Sequence, residues 1–85
     1  MKQLTTIRTF KRDGDTGNSY KMSYNPSRSR VALSCEGPMA INFSEVIAIR
    51  PVTSVEEARV AWRELQQAVE ARGFVAYKTY TIPAR

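Results

Sequence analysis

The stretch SVEEARVAWRELQQAVEARG, residues 54–73, does most to decide what this chain can become. Ser54 with Glu57 three residues later forms a capping box, in which the hydroxyl takes the Glu57 amide and the carboxylate reaches back. Val55, Ala58, Trp62, Leu65 and Val69 step by three and four, so one stripe of a helix over 54–72 is apolar. Gly73 suits the left-handed position that ends a helix. Phe74 behind it is placed to close on Val69. A lone helix of this kind must lay its stripe on something, and the rest of the chain reads as sheet.

The segments on either side alternate with period two. In SYKMSY (19–24), Tyr20, Met22 and Tyr24 share a face, and in VALSC (31–35) so do Val31, Leu33 and Cys35. MAINF (39–43) repeats the pattern with Met39, Ile41 and Phe43. QLTTIRTFK (3–11) favours a strand, with Leu4 and Phe10 facing one way and Ile7 the other, as at an edge or under partial cover on both faces. EVIAI (45–49) is a continuous apolar run, read as a buried strand or a short helical turn, closed by Arg50-Pro51. FVAYKTYTI (74–82) is a final strand stopped by Pro83. RDGDTGNS (12–19), NPSRSR (25–30) and EGP (36–38) carry turn chemistry.

The expectation is an α+β fold with two layers: an antiparallel meander of four to six strands on one amphipathic helix. Trp62 is expected at the centre of the core. The chain, residues 1–85, reads as a single domain with no internal repeat or linker. A domain of this length buries roughly 60–65% of its unfolded surface, which sets a stability of about 4–12 kcal/mol.

Composition removes most chemistries. There is no histidine and a single cysteine, Cys35. That excludes an internal disulfide, multi-cysteine zinc sites and every nucleophile–histidine dyad. Cys35 is in phase with Val31 and Leu33 and reads as a small core residue. Asp13 and Asp15 stand at the first and third positions of a calcium loop. Gly17 and Tyr24 then occupy positions that need ligands, so the loop reads as a plain hairpin tip. The carboxylates show no convergent pair. The expectation is therefore a protein that is not an enzyme, with no catalytic residues, cofactor or metal.

Charge points to binding. The net charge is +5. Residues 1–30 contain Lys2, Arg8, Lys11, Arg12, Lys21, Arg28 and Arg30 against Asp13 and Asp15, so the entire excess lies there. The 12–19 tip and the 25–30 connection fall at opposite ends of one strand. Lys11, Arg12, Lys21, Arg28 and Arg30, with Lys78, then form a strip suited to a phosphate backbone. Tyr77 and Tyr80 have opposite parity, so at least one is exposed near Lys78, where it could stack on a base.

The expected partner is nucleic acid, or a protein complex with an acidic surface, docked through the basic N-terminal hairpin and the loop after it. The alternative is a small inhibitor or adaptor of the phage-encoded type, anti-CRISPR-like in scale though not in motif, that occludes a host protein surface. An uncovered edge strand also allows a homodimer. No apolar run reaches membrane-spanning length, so no membrane partner is expected. MKQLTTIRTF lacks an apolar signal core, so the expected location is cytoplasmic.

Overall fold

The computed structural model describes residues 4–14, 17–39 and 44–83. Five strands alternate with turns and one helix: β1 (Leu4–Lys11), β2 (Ser19–Asn25), β3 (Arg30–Glu36), β4 (Ser44–Pro51), α1 (Val55–Glu70) and β5 (Val75–Pro83). They form one antiparallel sheet in the order β4-β3-β2-β1-β5, with α1 on one side. This is the α+β two-layer arrangement expected from the alternation.

Ladder partners share a face, so the register sorts the residues into two sides. Phe10, Tyr20 and Cys35 make one row on the helix side, and Arg8, Met22, Leu33 and Ala48 make the next. The core joins Phe10, Tyr20, Met22, Val31, Leu33 and Cys35 to Val52, Ala58, Ala61, Leu65, Val69 and Phe74. Phe10, Met22 and Val31 have no exposed surface at all. Tyr20 meets Phe74 edge to face, with ring centroids 4.8 Å apart.

Several expectations shift once the helix is seated. Trp62 is at the rim of the core rather than its centre. The helix meets the sheet through Ala58, Ala61, Leu65 and Val69, and the indole packs beside that stripe. Ala61, outside the expected stripe, is buried, while Val55 in the first turn overhangs the sheet and is 53% exposed. β1 is not an edge, since it pairs with β2 and β5. Its partial cover on both faces is observed, because Ile7 and Thr5 are buried on the side away from α1.

The run 45–49 is a strand, but a largely exposed one, because α1 lies mainly over β2 and β3 and meets β4 at its margin, where Ala48 packs on the core and Arg50 pairs with Glu64. Met39 is exposed in a turn and does not join the core. The remainder of the expected 39–43 strand, with Ile41 and Phe43, lies outside the described residues.

The helix ends follow local chemistry. Ser54 is the cap, its Oγ accepting the Glu57 amide at 3.1 Å. The Glu57 carboxylate accepts the Thr53 hydroxyl instead of reaching back to the cap amide. Ser54→Ala is expected to cost about 1 kcal/mol in urea unfolding. An unchanged midpoint would show that the Thr53–Glu57 bond holds the first turn unaided. At the other end, Ala71 is the cap and Gly73 takes φ +86°, with Phe74 turned back into the core.

Candidate anion-binding face

α1 covers one side of the sheet. The other side has no second layer among the described residues, and its surface is set by the residues out of phase with the core. Two rows run across the strands there. One is Lys78, Thr9, Lys21, Ser34 and Val46, and the next is Tyr80, Ile7, Ser23, Ala32 and Ile49. Lys21 and Lys78 flank Thr9 at two strand spacings, about 10 Å between Cα atoms. Lys11 follows two residues beyond Thr9 on the same face.

A bulge in β5 shapes this end. Thr9 pairs with Lys78 and Phe10 with Ala76, which leaves Tyr77 as the extra residue. Lys11 Nζ lies 4.6 Å from the Tyr77 ring centroid. Lys78 Nζ lies 5.2 Å from that of Tyr80. Each pair sets a cation against an aromatic ring. Tyr77 is 53% exposed, so its ring remains open to a further planar group. Lys21 Nζ is 3.2 Å from Glu36 Oε1, an exposed pair of little energetic weight.

The other basic candidates go elsewhere. Arg30 is on the same face at the far end, paired with Asn25 and Pro51. Arg28 is exposed in a 3-10 turn, Pro26–Arg28, whose first amide donor, Ser27 N–H, is capped by Asn25 Oδ1 at 3.0 Å. Arg12 turns toward the end of α1. Its guanidinium lies 4.7 Å from the Phe74 ring centroid and donates to the Arg72 carbonyl at 3.3 Å. So Lys11, Lys21 and Lys78 come together, Arg30 and Arg28 extend the line, and Arg12 is engaged in tying β1 to the helix.

A cleft on the helix side escaped the sequence reading. It measures about 570 Å³ and runs between α1 and β1, lined in part by Arg8, Trp62, Arg59, Arg63 and Gln66. It exists because α1 leaves the helix side of β1 and β5 open. Arg8 donates to Gln66 Oε1 at 2.7 Å and to Thr79 Oγ1 at 3.0 Å, and stands 5.3 Å from the Trp62 ring centroid. Arg8 is thus a clamp between sheet and helix. The available signal was its parity with Phe10, which places it on the core side.

Cys35 is buried and 3.9 Å from Glu45 Oε1. Burial, with the Glu45 carboxylate beside it, holds the thiol above the ordinary thiol range. The unfolded thiol ionises first as pH rises. The contribution from keeping Cys35 neutral is therefore complete below the ordinary thiol range and lost between there and the folded value. Urea unfolding at pH 7 and pH 10 is expected to show a larger loss for the native chain than for Cys35→Ala. Equal losses would contradict the assignment.

Among the described residues no three His, Cys, Asp or Glu side chains gather as metal ligands. Among the same residues no helix is long and apolar enough to cross a membrane. Compared with known proteins, the chain matches no family model, no curated protein and no solved structure.

Proposed function

We propose that this chain is a non-catalytic binding module whose sheet face opposite α1 holds single-stranded nucleic acid. The observation that carries the reading is the pair of lysine–tyrosine stacks, Lys11–Tyr77 and Lys78–Tyr80, beside Lys21 on a face with no second layer among the described residues. Lysines supply sequence-independent attraction to phosphates, and an exposed tyrosine ring supplies a stacking surface for any base. A strand suits this face better than a duplex, because the rings need bases that are free to stack. Arg30 and Arg28 extend the basic line past the far end of β2, in keeping with an extended polyanion rather than a single phosphate.

Binding to a labelled single-stranded oligonucleotide is expected to weaken with salt. Three neutralised phosphates correspond to a slope of about −2 in log K against log salt, or about 100-fold between 50 and 500 mM. Affinity that is absent at 50 mM salt, or indifferent to salt, would overturn the proposal. An acidic protein surface that binds where oligonucleotides do not would favour the occluding-inhibitor reading instead.

A further inference from the structure

We infer that β4 is a self-association edge, and that it pairs antiparallel with β4 of a second copy of this chain. Two strands bound the sheet, and they differ in character. Both end on a proline, but β5 also carries Lys78 in its middle, a charge that discourages edge pairing. β4 carries Val46, Ile47, Ala48 and Ile49 without a charge between them. Val46, Ile47 and Ile49 are 60%, 42% and 49% exposed. Among the described residues, β4 has a ladder partner on one side only, β3.

The sequence of β4 selects a copy of itself as occupant. It reads Ser44-Glu45-Val46-Ile47-Ala48-Ile49-Arg50-Pro51. A two-fold axis between Ile47 and Ala48 sets Glu45 opposite the partner's Arg50, and Val46 opposite the partner's Ile49. Both pairings recur on the far side of the axis. Antiparallel partners must share a face, and in a regular strand residues 45 and 50 would not. The bulge resolves this. Leu33 pairs with Ala48 but Ser34 with Val46, so one extra residue lies between them. Glu45, opposite Cys35, and Arg50, opposite Val31, therefore both face the helix side. Val46, opposite Ser34, and Ile49, opposite Ala32, both face away from it. Charge meets opposite charge on one side of the new ladder and apolar meets apolar on the other.

The present partner of Arg50 is easily exchanged. Arg50 Nη1 is 3.2 Å from Glu64 Oε1, with both side chains about half exposed. The axis is perpendicular to the sheet, so two copies make one continuous sheet twice as wide, with both lysine faces on the same side. The association does not depend on what that face binds. Pairing one short strand buries less than about 1,000 Å², which belongs to weak, reversible dimers.

Sedimentation equilibrium from about 10 μM to 1 mM tests it, with circular dichroism to confirm the fold of each variant. The average mass is expected to climb from 9.6 kDa toward twice that value. Glu45→Arg and Arg50→Glu each set like charges opposite one another at both ends of the ladder, and each is expected to weaken dimerisation about tenfold. The double variant Glu45→Arg/Arg50→Glu is expected to restore it. Ile47→Lys, at an exposed position, is expected to abolish it. A wild-type chain that stays monomeric at 1 mM, or single swaps that dimerise as well as wild type, would overturn the inference. So would a double swap that fails to recover.

Discussion

Phe10→Ala is expected to destabilise the fold by about 3–5 kcal/mol, the range for removing a fully buried aromatic ring. Phe10 has no exposed surface and stands in the row with Tyr20 and Cys35 under the helix. Against a total of about 4–12 kcal/mol, such a loss leaves a chain that is marginal at best. The melting temperature is expected to fall by about 15–35 °C. Trp62→Ala is the informative contrast. The indole is larger, yet it is half-buried at the rim beside Arg8, so the expected cost is about 1–2 kcal/mol. Urea unfolding of the two variants side by side checks the account. Equal costs would move the centre of the core back to Trp62.

Gly37→Ala is expected to cost about 2–4 kcal/mol. Gly37 has φ +106°, a region that residues with a Cβ rarely occupy. An added Cβ would also collide with the Gly17 carbonyl oxygen and approach its carbon to 2.8 Å. Gly17 belongs to the β1–β2 connection and Gly37 to the turn after β3, so the substitution would push two loops apart at the same end of the sheet. Gly14→Ala separates strain from collision. Gly14 has φ +79° but nothing within 4 Å of a new Cβ. It is expected to lose only about 1–2 kcal/mol. Equal denaturation midpoints for the two variants would remove the collision from the explanation.

What the sequence revealed and what it hid follow from the reach of each signal. Alternation in β2 and β3 identified Tyr20, Met22, Tyr24, Val31, Leu33 and Cys35 as one face, because the period of a strand is local, and all but the half-buried Tyr24 are buried. The capping serine and Gly73 were equally local. The lateral position of the helix on the sheet was not. Its seat, mainly over β2 and β3, buries Ala61, which is small rather than strongly apolar, and leaves Trp62 at the rim and β4 largely exposed. The basic strip was legible as composition. Its division was not, because Arg12 and Lys11 are neighbours in the chain yet face the helix end and the open sheet respectively. The bulge that leaves Tyr77 beside Lys11 has no sequence signature and appears only in the β1–β5 register.

Binding by the sheet face opposite α1 is tested most directly by a comparison of two surfaces. Affinity for a single-stranded oligonucleotide at about 50 mM salt would be measured for Lys11→Ala/Lys21→Ala/Lys78→Ala and for Arg59→Ala/Arg63→Ala, which alters the cleft on the helix side. Lys11, Lys78, Arg59 and Arg63 are exposed and Lys21 is half-buried in a surface ion pair, so both variants are expected to fold. The lysine variant is expected to lose at least about tenfold in affinity and to flatten the salt slope by about 2, while the arginine variant changes affinity less than about threefold. The opposite ranking, with the arginine variant crippled and the lysine variant intact, would contradict the assignment of the sheet face and give the binding to the cleft.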